Sequence, residues 1–94
     1  MIVFDPAKDV VNVAKHGVSL GRAHEFVFED SLIEADDRFD YQESRWIAYG
    51  YLDGRLHVLV FTQRGDTIRV ISLRKANQRE KRHVEHQRRL RSED

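Results

Sequence analysis

Arg69 is the residue around which chemistry in this chain has to be arranged. It stands within Ile68-Arg-Val-Ile-Ser-Leu73, a run of β-branched and aliphatic residues suited to a pleated, half-buried surface. A guanidinium fixed there lies beside a sheet face, not in a solvated tail. Its planar fork of donors matches a phosphate bidentately. A salt bridge to a neighbouring carboxylate uses the same fork, and the residue alone does not choose between the two. Alternation along a regular strand puts Thr67, Arg69, Ile71 and Leu73 on one face, and Ile68, Val70, Ser72 and Arg74 on the other. Arg64 and Arg74 bracket the run. Arg69 and Arg74 are about 17 Å apart along an extended backbone, a gap that long side chains shorten. With Arg79, Lys81 and Arg82 beyond them, these arginines make a basic surface on which a nucleic acid fits. A solvated helix face accounts for the last three equally well.

Acid–base chemistry would fall to the histidines. His16 follows Lys15 at the end of a helical pattern, where an imidazole acts as a general acid or base or simply caps the last turn. His83 and His86 are spaced to share one side of a helix, but no H-E-x-x-H or comparable ligand pattern accompanies them, so no metal is expected. His24 and His57 have no distinguishing context. There is no nucleophile elbow, phosphate-cradling glycine loop or paired-carboxylate motif, and no cofactor is expected.

The elements that must position these groups follow from local pattern. Runs 46–52, 55–63 and 67–74 read as an antiparallel meander, turned by Asp53-Gly54 and by Arg64-Gly65-Asp66. Ile2-Val3-Phe4 reads as an edge strand. Asp5-Pro6 opens a helix carrying the stripe Ala7, Val10, Val11 and Ala14, and Gly17 closes it. Ser19 caps a second helix over 20–28, with Leu20, Ala23, Phe26 and Val27 turned inward. This helix pair is expected to cover one face of a small, antiparallel sheet, followed by a C-terminal helix. Leu32–Ala35 reads as a short strand, Asp36–Ser44 as a polar, mobile loop, and Lys75–Leu90 as a helix with a thin stripe of Ala76, Val84 and Leu90.

Ninety-four residues fit a single domain, 1–94. No apolar run approaches the roughly 20 residues of a membrane span, no signal peptide is recognisable at the start, and the absence of cysteine suits the cytoplasm. The formal net charge of zero hides a division. Residues 1–63 carry 6 Lys/Arg against 11 acids, a balance of −5, while residues 64–94 carry 10 against 5, a balance of +5. Such asymmetry points to a nucleic acid or an oppositely charged protein as partner.

Phe4-Asp5-Pro6-x-Lys8, Asn12-x-x-Lys15-His16-Gly17-Val18-Ser19, Arg64-Gly65-Asp66 and Ile68-Arg69-Val70-Ile71-Ser72-x-Arg74-x-Ala76, with Glu80 beyond, occur in this order. Together they resemble the BrnT family of type II toxin–antitoxin toxins. The resemblance implies an α+β, RelE-like fold and a cytoplasmic bacterial ribonuclease that halts translation. It also implies a BrnA-type antitoxin with a ribbon-helix-helix DNA-binding part. Carried over by position, Lys15, His16, Arg64, Arg69, Arg74 and Glu80 match the family pattern. Where relatives often place a tyrosine, this chain has Val84, which leaves His83 beside it as the substitute or makes that helix purely structural. Metal-independent RNA cleavage agrees with both readings. The rivals are a non-catalytic RNA- or protein-binding module using the same basic face, and a DNA-binding autorepressor, for which no recognition-helix signature is present.

Overall fold

The computed structural model describes residues 1–38 and 42–92. Strands β3 (Trp46–Leu52), β4 (Arg55–Arg64) and β5 (Thr67–Lys75) form the expected antiparallel meander. Asp53 and Gly54 close its first turn at φ 53° and 70°, the left-handed pair that a two-residue hairpin turn of this hand requires. β1 (Ile2–Phe4) and β2 (Leu32–Ala35) complete a five-stranded sheet in the order β1-β5-β4-β3-β2. β1 runs parallel to β5, with Ile2 opposite Ile68 and Phe4 opposite Val70. The sheet is therefore mixed, not wholly antiparallel as the local pattern predicted. Part of the 36–44 loop, residues 39–41, lies outside the described residues.

Helix α1 (Pro6–His16) is capped by Asp5, which accepts from the Ala7 N–H at 2.9 Å, and ends where the Gly17 N–H reaches the Val13 carbonyl. Its Ala7–Val10–Val11–Ala14 stripe is not buried against the sheet; all four residues are exposed. Asn12 is the buried member instead. Its Nδ2 donates to the carbonyls of Val18 and Leu73, both at 2.8 Å, and its Oδ1 accepts from the Leu73 N–H. On the same side, Asp9 accepts from the Ser19 hydroxyl and the Leu20 N–H. Each such group left buried and unpaired would cost about 1–3 kcal/mol, and that penalty fixes the rotation of the helix against its valines.

The second helix is a 3₁₀ helix, Leu20–Glu25, shorter than the α-helix expected over 20–28. Leu20, Ala23 and the cap residue Phe26 recur every three residues, which matches the 3₁₀ period and sends all three into the core. Val27 falls off that line and is exposed. Together with Leu52, Leu59, Phe61, Val70 and Leu73 these side chains form the principal core. Gly50 is part of the fit, since a Cβ there would stand 2.6 Å from the Phe26 ring. A smaller cluster on the opposite face joins Leu32, Tyr49, Leu56 and Val58 to Val84 of α2 (Gln78–Ser92).

α2 begins later than the 75–90 expectation, because Lys75 is the last residue of β5. Asn77 and Glu80 form a reciprocal capping box: the Glu80 N–H donates to Asn77 Oδ1 at 2.8 Å, and the Asn77 N–H donates to Glu80 Oε1 at 2.9 Å.

One irregularity decides where the arginines point. Phe61 pairs with Val70 while Val60 pairs with Ser72, leaving Ile71 as an extra residue in β5. Beyond this bulge the alternation changes phase. Thr67, Arg69, Ser72 and Arg74 lie opposite Arg64, Thr62, Val60 and Val58, every second residue of β4, and so share one face. Ile68, Val70 and Leu73 share the core face. The regular-strand expectation, with Arg69 and Arg74 on opposite faces, is corrected.

Candidate nucleic-acid interface

The face carrying Arg69 and Arg74 holds two hollows. In the first, of about 250 Å³, Arg64 and Arg69 stand over Thr62 and Thr67 beside Val3 of β1. Arg69 is exposed and makes no ion pair among the described residues. Arg64 donates from Nε and Nη2 to Glu43, but its side chain is 80 % exposed, so this pair is weak and readily exchanged.

The second hollow, of about 280 Å³, has an apolar floor of Ile47, Val58 and Val60, walled by Arg38, Tyr49, Ser72, Arg74 and Glu80. Arg74 is engaged bidentately with Glu80, both bonds at 2.7 Å, with side chains only 30 % and 17 % exposed. The Arg74 guanidinium holds the Glu80 carboxyl below the usual carboxylate range despite its partial burial, and Glu80 in turn raises Arg74. Arg38 donates to Asp36 at 2.7 and 2.9 Å. Partial burial, together with the negative charges of Glu34 and Glu80, pushes the Tyr49 phenol up, so it stands as a hydrogen-bond donor.

Lys15 and His16 approach from α1. They line a third groove, of about 400 Å³, with Ala7, Lys8, Val11, Ile71 and Ser72. Ser72 also lines the Arg74 hollow, so the two share one wall residue. The His16 imidazole lies below its ordinary value, first through lost hydration on its protein side and then through the positive charges of Arg74 and Lys15.

Of the residues singled out from the sequence, Arg64 and Arg69 come together in one hollow, Arg74 and Glu80 in the next, and Lys15 and His16 in the adjoining groove. Arg79, Lys81 and Arg82 lie on α2, outside the linings of these three cavities. His83 reaches Glu34 Oε1 at 2.6 Å and meets the Tyr49 ring edge-on at 5.5 Å, a contact that ties α2 to the sheet. Tyr49, Thr62 and Ser72 escaped sequence reasoning. Their signal is their register opposite and beside the arginines, which requires the bulge to be known. Among the described residues no group of three or more His, Asp or Glu side chains is placed to hold a metal ion, and no helix is long and apolar enough to cross a membrane.

The structure is a mixed α+β protein whose sheet presents arginines on one face, with a histidine in the adjoining groove. The family model described as ribonuclease toxin, BrnT, of type II toxin-antitoxin system matches residues 4–80. The chain belongs to that family. No curated protein matches it.

Proposed function

We propose that the chain is a metal-independent endoribonuclease of RelE-like type that inhibits translation in the cytoplasm. The observation that carries this reading is Arg69, unpaired among the described residues, on the same sheet face as Arg74, with His16 in the groove that shares Ser72 with the Arg74 hollow. In the proposed reaction the scissile phosphate lies across Arg64, Arg69 and Arg74, whose charge answers the negative charge building on its oxygens. His16 takes the proton of the ribose 2′-hydroxyl. The 2′ oxygen bonds to phosphorus, the bond to the 5′ oxygen breaks, and a cyclic phosphate and a 5′-hydroxyl result. Lys15 is the cation nearest His16 in sequence and is assigned to protonate the leaving oxygen. Arg79, Lys81 and Arg82 extend the basic surface along the RNA. Glu80 positions Arg74, and His83 braces α2.

Type II membership implies a protein antitoxin. We assign it to the BrnA-like, ribbon-helix-helix class, with two toxins per antitoxin dimer and DNA reached only through the antitoxin. Opposite charge steers such a pairing, so its rate falls as salt rises. The experiment is cleavage of RNA by purified protein in chelator, beside Arg69→Ala. Cleavage that Arg69→Ala loses supports the reading. A folded wild-type protein that binds RNA without cutting it leaves the non-catalytic binding module in its place.

A further inference from the structure

Neither core nor the arginine face uses the outward stripe of α1. Val10, Val11 and Val13 are 71 %, 52 % and 43 % exposed, and Ala7 and Ala14 lie among them at helical spacing and are exposed as well. An amphipathic helix ordinarily turns such a stripe inward; here Asn12 and Asp9 hold it out. Small alanines between valines leave shallow grooves into which the ridges of another helix fit. On one flank the stripe descends into the groove where Ala7 and Val11 face Ile71, and where Lys8 and Lys15 stand. Neither lysine has an ion pair among the described residues.

We propose that this stripe and groove dock an amphipathic segment of the antitoxin, apolar toward Val10, Val11 and Ile71 and bearing carboxylates that reach Lys8 and Lys15. The inference rests on the toxin reading and adds where inhibition is anchored. Charge selects this occupant over a second copy of the chain. Asp9 of α1 is engaged with Ser19 and Leu20 and the cap Asp5 with Ala7, so a second α1 brings apolar residues but only one exposed cap carboxylate for two lysines. The apolar anchor is on α1 and not on α2, whose Val84 is already buried in its own cluster. Because the groove contains His16 and shares Ser72 with the Arg74 hollow, a segment seated there covers the proposed base, and its continuation reaches the arginines.

The test is the double variant Val10→Ser/Val11→Ser, mixed with the purified antitoxin encoded beside this chain. Free variant is expected to keep the wild-type cooperative melt, since both valines are exposed. Its affinity for the antitoxin is expected to fall about a hundredfold or more, as for loss of central interface anchors. Lys8→Glu is expected to slow association and flatten its salt dependence. Hydrogen exchange on the unaltered chain supplies an independent readout: residues 6–16 gain protection on adding antitoxin. Unchanged affinity of the folded double variant overturns the proposal, as does no added protection at 6–16. A free wild-type dimer that the double variant dissolves also overturns it, naming a second copy as the occupant. Failure of the free wild type to cleave RNA sinks the ribonuclease reading alone, and the binding measurements still judge the docking surface.

Discussion

Arg69 and Arg74 rise from the same face of β5, although a five-residue interval puts them on opposite faces of a regular strand. Ile71 is the extra residue that brings them into phase. The two are not equivalent once there. Arg74 is clamped by Glu80, whereas Arg69 has no ion pair among the described residues and is open to an incoming anion.

Deleting Ile71 is therefore expected to break the fold and not merely to shorten a strand. Either Ile68 and Val70 or Leu73 must leave the core face, at about 1.5–3 kcal/mol for each large side chain exposed. Thermal unfolding followed by circular dichroism checks this. A deletion variant with the wild-type cooperative melt contradicts the phase argument.

Arg69→Ala is expected to reduce RNA cleavage by about 10²–10³-fold, the usual loss for one transition-state charge contact. Its stability should stay within about 0.5 kcal/mol of the wild type, as for exposed positions without structural partners. Chemical denaturation and single-turnover cleavage separate the two effects. Full activity in the folded variant removes Arg69 from the phosphate site.

Glu80→Ala and Glu80→Gln distinguish two jobs of one carboxylate. Alanine loses both the cap and the ion pair and is expected to destabilise by about 1–3 kcal/mol. Glutamine can preserve the capping box and should lose less. Since the folded carboxyl is depressed, its contribution is present above the unfolded value of about 4.3 and fades as pH falls through the folded value. Urea midpoints between pH 3 and 7 should show the acid loss in the wild type and a flatter curve in Glu80→Gln. Identical pH curves would remove Glu80 from the acid response.

His16 is expected to set the acid limb of cleavage, placed below the ordinary imidazole value of about 6.5 because its protonated form is disfavoured. Activity falls as pH drops through that lowered value. Replacing Lys15 with Met removes one of the repelling charges and should move the limb upward. His16→Ala with full activity and an unaltered limb would leave His16 as a helix-end residue only.

The meander, its Asp53-Gly54 turn, the Asp5-Pro6 start and the Gly17 end of α1 were legible because each rests on neighbours in sequence. The bulge at Ile71 was not, since it exists only relative to β4. The rotation of α1 is hidden for a similar reason: Asn12 bonds to Leu73, far along the chain, and a periodicity of valines carries no trace of that. The period of three in Leu20, Ala23 and Phe26 is visible in the sequence, but three such residues fit one face of an α-helix as well. Clustering of Arg64 with Arg69 followed from the hairpin, whereas approach of His16 to Arg74 depended on how α1 crosses β5.

The carboxylate of Glu80 both secures the first turn of α2 and occupies Arg74. A phosphate that draws Arg74 away leaves that carboxylate with its Asn77 bond alone, so loading the sheet face loosens the start of the helix. Such coupling is reciprocal. Anything that grips α2 more firmly tightens the hold of Glu80 on Arg74 and lowers the affinity of the sheet for such a phosphate, which makes the helix a dial on the opposite end of the same ion pair.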